Sequence, residues 1–252
     1  MTAGTRVDIL GVHVSVTSQE EVAQVAAALI ASGERGYVCV SDVNAVLNAS
    51  RSPDLLEIHN SSTLTLPDGM PLVWSGRRAG APMQRVCGPD LLPSLLAVAL
   101  EQGWRSYFYG GADGVAVEMV ERLTRLIGPF PTAGVMSPPY RTLSAQEDEE
   151  VVRTINESRA DIVWVGLGAP KQERWMAEHR SRLDAALLVG VGAAFDMHAG
   201  RVARAPGWMQ RAGLEWSYRL LQEPRRLWRR YVFGIPAFLL GVARRRPRIV
   251  PG

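Results

Sequence analysis

A carboxylate on a turn is the first group in this sequence that could do chemistry. Asp68 stands within Leu66-Pro67-Asp68-Gly69-Met70-Pro71, directly after the strand-like residues 63–66. A turn exposes a carboxylate while nearby backbone amides fix its direction, so Asp68 is a candidate general base. Pro-Asp-Gly is also among the commonest turn sequences, and an ordinary turn explains the same residues. The turn alone leaves both interpretations open.

Glycine-containing turns follow three further strand-like segments, at residues 110–114, 166–168 and 190–192. None has the spacing of a dinucleotide fingerprint, which disfavours a nicotinamide or flavin enzyme. Three such turns at strand ends favour a ligand there, since open α/β sheets bind ligands at that edge. After the second turn, Pro170 predicts a helix start whose first turn presents Gln172 to a ligand. The alternative is that the polar side chains of this first turn simply face solvent and bind no ligand.

Arginines and aromatic residues alternate near the end of the chain. Arg219, Arg226 and Arg229 are seven and three residues apart, so they share a face if the segment is one helix. Arginines on one face can hold a diphosphate through forked hydrogen bonds. Pro224 can also begin a second helix, which would bend that face. The alternative is a solvated or nucleic-acid-binding surface, although the neighbouring Trp, Tyr and Phe residues suit a membrane interface.

Alternating helical and strand patterns over the first 195 residues would position these groups. They predict an α/β fold, a Rossmann-like and largely parallel sheet with helices on both faces. Residues 20–31 repeat apolar side chains at helical spacing, and Ser144 with Glu147 forms a capping box for a helix reaching about Arg159. Residues 162–165 and 186–191 are apolar runs typical of central strands. We divide the chain into a catalytic domain, 1–199, and a helical, basic appendage, 200–252, in which we expect no further sheet.

Charge is distributed unevenly between these two parts. Residues 201–252 hold twelve arginines and two glutamates, a net charge of +10, so residues 1–200 carry −7 of the total of +3. A basic end predicts phosphate-bearing partners, such as an anionic membrane surface. The first residues lack a secretory signal pattern, and the longest apolar run, 231–243, is shorter than the roughly 20 residues that span a bilayer. The spacing of Cys39 and Cys87 fits neither a zinc site nor a disulfide framework. Asp196 and His198 have no third metal ligand at a recognisable spacing, so we expect no bound metal.

Taken together, these residues resemble the bacterial WecG/TagA/CpsF family, glycosyltransferase family 26. The order and spacing of several short stretches along most of the chain carry the resemblance. These stretches are Pro67–Pro71, Arg85-Val86 with Gly88–Leu91, Tyr109–Gly111, Val165–Glu173, Gly190–Asp196, Arg204–Pro206, Leu214–Trp216 and Arg219–Arg226.

The resemblance implies an inverting, metal-independent and cofactor-free glycosyltransferase. It implies transfer of an N-acetylmannosamine-type sugar from a UDP donor to a polyprenyl-diphosphate-linked sugar, in cell-surface polysaccharide or teichoic acid synthesis. By the same resemblance, Asp68 matches the catalytic base. The matching substrate-binding positions are Asn44, Arg85, Gln172, Arg219, Arg226 and Arg229. The protein would then be cytoplasmic and peripheral on the inner face of the cell membrane.

One position departs from the family pattern. Asp42 occupies the place where the family usually has threonine, two residues before Asn44. A carboxylate near a diphosphate is unfavourable, so either Asp42 points away or the donor differs. Two other functions stay open on the sequence alone: a nucleotide-dependent oxidoreductase, and a non-catalytic module that binds membranes or nucleic acid. We expect no nucleic-acid partner. A homo-oligomer is expected only because homo-oligomers are common among proteins, and no residue in the sequence indicates one.

Overall fold

The structure is a computed structural model that describes residues 4–252, apart from the side chains of Arg211 and Arg226. Its strands are β1 (Thr5–Ile9), β2 (Val12–Ser15), β3 (Gly36–Ser41), β4 (Leu64–Pro67), β5 (Ser106–Gly110), β6 (Thr132–Met136), β7 (Ile162–Gly166), β8 (Leu187–Gly190) and β9 (Arg248–Pro251). Its helices are α1 (Gln19–Ser32), α2 (Val43–Ala49), α3 (Pro53–Asn60), α4 (Met70–Arg78), α5 (Gly88–Gln102), α6 (Val115–Ile127), α7 (Ala145–Glu157), α8 (Lys171–His179), α9 (Ala194–His198), α10 (Gly207–Arg211), α11 (Glu215–Gln222) and α12 (Pro224–Arg244).

A parallel sheet organises the molecule, with the strand order β4-β3-β8-β7-β5-β6. Every neighbouring pair in it runs parallel. Helices cover both faces, and the sequence-based expectation of a Rossmann-like α/β fold is confirmed. Because the strands share one direction, their carboxyl ends meet along one edge, where such sheets bind ligands.

Buried side chains fill both faces of this sheet. Phe108 and Trp164 belong to a fully buried cluster on one face, and Tyr109 and Val165 belong to a cluster on the other. Successive strand residues point to opposite faces, so a strand with both faces covered is a continuous apolar run. The runs in β7 and β8 therefore predict central strands, and the structure confirms that prediction.

Helix ends follow local chemistry. Ser18 caps α1 and Ser144 caps α7, each in a capping box with the glutamate three residues later. The box at Ser144 is the one expected from the sequence, and α7 ends at Glu157, close to the expected Arg159. Pro170 is the N-cap of α8, which confirms the helix start predicted there.

A second, antiparallel sheet joins the two ends of the chain, in the order β2-β1-β9. The expectation that no sheet follows residue 200 is wrong, because β9 pairs with β1. Phe238 of α12 is also buried, in a cluster with residues of β1, β2 and α2. Between residues 207 and 244 the chain forms the three helices α10, α11 and α12, in line with the expected helical appendage. The division at residue 200 stays a prediction.

The helix is interrupted at Glu223, between α11 and α12. The second helix begins at Pro224, as the sequence suggested. Arg219 therefore lies on α11 and Arg229 on α12, so they do not lie on one continuous helix. Within residues 4–252, the structure has no helix with the length and apolar character that crossing a membrane requires.

Candidate active site

A cavity of about 430 Å³ opens at the carboxyl edge of the parallel sheet. One side, which we name the sheet wall, is formed by Asp42, Asn44, Asp68, Arg85, Gln172 and Gly192. The opposite side, the C-terminal wall, is formed by Glu215, Trp216, Arg219, Leu227, Arg230 and Tyr231. The volume lies in the range of small-ligand sites, about 300–1,000 Å³. The cavity therefore brings strand ends and C-terminal helices to one place.

Asp68 directly follows β4, and its backbone N–H donates to the carbonyl of Ser41 at 2.9 Å. Arg85 binds it twice, with Nε donating to the backbone oxygen at 2.5 Å and Nη2 lying 3.4 Å from Oδ1. About a third of the side chain is exposed, at 32%. Burial raises the pKa of Asp68. The positive charges of Arg85 and Arg219 lower it in part, and the negative charge of Glu215 raises it further. A carboxylate with a raised pKa and a long, weak ion pair is suited to accept a proton.

Glu215 competes with Asp68 for the same guanidinium. Its Oε2 lies 2.6 Å from Arg85 Nη2, and its Oε1 lies 3.6 Å from Nε of Arg204. Arg204 also pairs with Asp90, so the network extends across α5 and α11. The short contact of Arg85 is thus with Glu215 and the long one with Asp68, and the stronger charge-assisted hydrogen bond is the shorter one. Glu215 thereby keeps Arg85 from pairing closely with Asp68.

Gln172 lies on the first turn of α8 and is almost completely buried. Its Nε2 donates to Glu173 Oε1 at 3.1 Å, and its Oε1 has no hydrogen-bond partner among the described residues. A buried acceptor without a partner is costly, so this oxygen is ready for a ligand N–H or O–H. Gly192, at φ +51°, approaches closely, since a Cβ there would lie 3.3 Å from Gln172 Oε1. A larger residue at position 192 would crowd Gln172 Oε1 and would be strained at this positive φ.

Asp42 is the N-cap of α2, and its Oδ1 accepts from the backbone N–H groups of Asn44 and Ala45, each at 3.0 Å. Its Oδ2 forms a short ion pair with Nη2 of Arg230 on α12. Asn44 follows on the first turn of α2 and lines the cavity. Asp42 therefore does not point away from the cavity; it lines it, and Arg230 neutralises its charge.

The predicted arginines occupy different places. Arg85 and Arg219 line the cavity, whereas Arg229 is exposed and lies outside the lining. The side chain of Arg226 lies outside the described residues. Among the arginines that line the cavity in the described chain, Arg85 and Arg230 are ion-paired and Arg219 is not. Arg219 is thus the lining cation that is available to an anion.

Sequence reasoning missed the roles of Glu215 and Arg230. Glu215 lies in the Leu214–Trp216 stretch that supported the family resemblance, but nothing in that stretch indicates a pairing with Arg85. For Arg230 a signal exists, because Leu227, Arg230, Gly234 and Phe238 are spaced by three, four and four residues. That spacing places them on one face of a helix and so predicts that Arg230 faces inward with the buried residues.

Both cysteines are buried free thiols. Within residues 4–252, no three His, Cys, Asp or Glu side chains come together as a metal site.

Comparison with known proteins places nearly the whole chain in one family. A family model described as the WecG/TagA/CpsF family of glycosyl transferases matches residues 7–250. An N-acetylglucosaminyldiphosphoundecaprenol N-acetyl-beta-D-mannosaminyltransferase of Bacillus spizizenii (strain ATCC 23059 / NRRL B-14472 / W23) is 35% identical over 207 residues, which is 82% of this chain and 78% of that protein. The protein of the same name from Bacillus subtilis (strain 168) is 33% identical, over 77% of this chain and 73% of its own. That of Staphylococcus aureus (strain MW2) is 26% identical, over 97% and 94%.

Proposed function

This chain belongs to the WecG/TagA/CpsF family of glycosyltransferases, and we propose that it transfers an N-acetylmannosamine-type sugar from a UDP donor to a sugar on a polyprenyl diphosphate. Membership of a glycosyltransferase family leaves no support for the oxidoreductase or the non-catalytic binding module. The acceptor class follows the names of the relatives, which act on N-acetylglucosaminyldiphosphoundecaprenol. The reaction is proposed to invert the anomeric centre without a metal ion or cofactor.

The observation that carries this proposal is that Asp68 and Arg219 line the same cavity. Arg219 is close enough to oppose the rise in the pKa of Asp68. One group can take a proton while the other holds negative charge. A transfer to an alcohol from a diphosphate leaving group needs both functions.

The proposed reaction is a single displacement. The acceptor hydroxyl attacks the anomeric carbon as the bond from that carbon to the diphosphate oxygen breaks, and UDP leaves with the electron pair. Asp68 takes the hydroxyl proton as the new C–O bond forms. Attack opposite the leaving group inverts the configuration. The same single step requires no covalent intermediate with the protein.

In this proposal, arginine takes the place of a metal ion. Charge that develops on the leaving diphosphate is stabilised by preorganised donors, and arginine suits phosphate because its planar fork makes paired hydrogen bonds. Arg219 fills this role from the C-terminal wall. Gln172 and Asn44 are proposed to bind donor or acceptor polar groups from the sheet wall, and Arg85 orients Asp68. Arg226 and Arg229 are proposed to join the diphosphate only if the C-terminal wall moves inward on binding.

The outer face of α12 supports a peripheral location of the protein on the inner face of the cell membrane. Trp228, Val232, Phe233, Leu239 and Leu240 are exposed there, with exposed Arg225 and Arg229 nearby. Aromatic and aliphatic side chains beside arginines suit the boundary of an anionic bilayer. That position would bring the cavity to a lipid-linked acceptor.

The test is donor-dependent and acceptor-dependent release of UDP. Purified full-length protein is incubated with liposomes that carry a polyprenyl-diphosphate-linked N-acetylglucosamine and with each of a panel of UDP-sugars. We expect release with UDP-N-acetylmannosamine, unchanged by a chelator, and a product whose anomeric configuration is opposite to that of the donor. If the folded protein releases no UDP with any of the donors, the proposed function is contradicted.

A further inference from the structure

Arg230 is a charged residue on the inner face of α12, next to residues that pack against the body. That face contacts the body through Leu227 and Phe238, which are 2% and 1% exposed. Between them, Gly234 lies against α2, since an added Cβ would be 3.8 Å from Leu47 Cδ1. A guanidinium between these contacts is partly withdrawn from water, and burial lowers the pKa of Arg230. Such a charge is costly unless a partner compensates it.

Asp42 supplies that compensation from a fixed position. Its backbone follows β3, and its Oδ1 is already held by two N–H groups of α2, which leaves Oδ2 for Arg230. The pair joins residues 188 positions apart in the chain. The contact is made by Nη2 of Arg230, whereas its Nε is buried and has no hydrogen-bond partner among the described residues. Asp42 is thus what holds the arginine in place.

Movement of this part of α12 would move the C-terminal wall. Leu227, Arg230 and Tyr231 on α12 line the cavity, and α11, which packs against α12, carries Arg219. In α11 no described side chain is buried, so its place depends on its neighbours. The contact between Asp42 and Arg230 therefore lies where α12 meets the cavity.

We propose that Asp42 and Arg230 are positioning residues whose ion pair docks α12 on α2 and so closes the C-terminal wall around the donor diphosphate. The proposal rests on the proposed function for the identity of the donor, but the docking of α12 stands on the contacts alone. It resolves the presence of a carboxylate beside a diphosphate site, because Asp42 acts on the wall and its charge is already neutralised.

The primary variant is Asp42→Asn, which keeps the shape and the helix cap because an asparagine oxygen accepts the same backbone N–H groups. It leaves Arg230 without its counter-ion, so α12 should loosen. We expect hydrogen exchange of the α12 backbone amides at residues 230–238 to accelerate about tenfold or more. We expect the donor KM and the dissociation constant of UDP to rise about tenfold while kcat stays within about twofold. Asp42→Thr also keeps a cap and should behave alike.

The matched control is Arg225→Gln, at an exposed arginine on the same helix, which removes the same positive charge as Arg230→Gln. Exchange in α12 and UDP binding should stay unchanged. Both are measured in solution with UDP and a short-chain acceptor, so that membrane binding does not enter. Arg230→Lys keeps the charge with a single-point contact and should restore most of the affinity that Arg230→Gln loses.

A double variant separates positioning from direct binding. Asp42→Asn with Arg230→Leu removes both charges at once, so that neither is left partly buried without a counter-ion, and an interface often tolerates that change. We expect exchange protection to return and UDP affinity to recover to within about threefold of the parent. Recovered protection without recovered affinity would mean that Arg230 binds the diphosphate itself, and would overturn the positioning role.

Two further outcomes would also overturn the proposal. Tighter UDP binding by Asp42→Asn would show that Asp42 acts by repelling the diphosphate. Unchanged exchange in α12 would show that the pair does not dock the helix. If the parent protein transfers no sugar with any donor, the proposed function fails, while the exchange measurements still decide whether the pair docks α12.

Discussion

The two walls of the cavity are held in different ways. Strand ends carry the sheet wall, and beneath it lie side chains with no exposed surface, among them Phe108, Trp164 and Val189. In the C-terminal wall, the described part of α11 buries no side chain, and α12 buries Leu227 and Phe238. Ion pairs from Arg85 and Arg204 to Glu215, and from Arg230 to Asp42, hold the rest. One wall depends on apolar burial and the other largely on charge.

This difference assigns different parts of the chemistry to each wall. A base must be held in a fixed direction, and Asp68 lies on the wall that a packed core holds in place. A group that grips a donor and later releases UDP benefits from mobility, and Arg219 lies on the wall held by charges that water and salt weaken. We therefore expect loss of Asp68 to change the chemical step, and loss of Arg219, or of the Asp42–Arg230 pair that holds its wall, to change binding of the donor.

The largest expected effect is on the sheet wall, with Asp68→Asn. Loss of the proton acceptor should lower kcat by about 10²–10⁴-fold, because general-base catalysis contributes that much. The donor KM should change little, and the circular dichroism spectrum should not change. Asp113→Asn, at an exposed acidic residue on the turn after β5, is the control. A loss of less than tenfold in the Asp68 variant would exclude Asp68 as the base.

The next effect tests whether the C-terminal wall has any packed anchor. Phe238→Ala removes a buried ring from the cluster shared with β1, β2 and α2, so the free energy of unfolding should fall by about 3–5 kcal/mol. Phe233→Ala, on the same helix but 62% exposed, should cost less than about 0.5 kcal/mol. Both are measured by denaturant titration of the full chain. Equal small losses would show that α12 unfolds separately from the body.

A smaller effect concerns how Glu215 keeps Arg85 from pairing with Asp68. In Glu215→Gln, a neighbouring negative charge is lost and Arg85 can pair more closely with Asp68. Both changes favour the ionised form of Asp68, so its pKa should fall. The acid limb of the kcat/KM profile should shift to lower pH, with a lower plateau because the base is weaker. Glu34→Gln, at an exposed residue far from the cavity, should leave the profile in place; an unmoved limb in Glu215→Gln would contradict the network.

The sheet wall could be predicted from the sequence because its determinants are local. Apolar runs, a capping box and glycine turns each lie within a few residues, and they identified five strands of the parallel sheet, several of its helices and the turn that carries Asp68. Gln172 followed from the proline that begins α8. The structure adds what no local pattern contains, the absence of a partner for Gln172 Oε1 among the described residues.

The C-terminal wall could not be predicted in the same way. Its contacts join residues far apart in the chain, 130 positions for Arg85 with Glu215 and 188 for Asp42 with Arg230. An ion pair has no periodicity, so a single sequence gives no sign of which arginine meets which carboxylate. Strand β9 was missed for a similar reason, since it is short, mostly exposed and pairs with the opposite end of the chain.

The smallest expected effect concerns a buried carboxyl group that accepts a hydrogen bond from Gln172 of the sheet wall. Glu173 is 1% exposed, and its Oε2 has no hydrogen-bond partner among the described residues. Burial raises the pKa of this carboxyl above its usual 4.5. At a pH between the pKa of Glu173 in the unfolded chain and its higher pKa in the folded protein, the folded protein holds a proton that the unfolded chain releases. Stability from this group is therefore complete below 4.5 and is lost as the pH rises through the folded pKa.

Glu173→Gln should remove this dependence while keeping the size and polarity of the side chain. The melting temperature of the parent protein should fall relative to that of the variant as the pH rises from about 5 to 8, the direction that linkage requires for a raised carboxyl pKa. Glu101→Gln, at an exposed position on α5, should follow the parent at every pH. Parallel curves for the parent and Glu173→Gln would mean that Glu173 is compensated in solution. The sheet wall would then depend on charge as the C-terminal wall does, and the contrast between them would narrow to the packing beneath each.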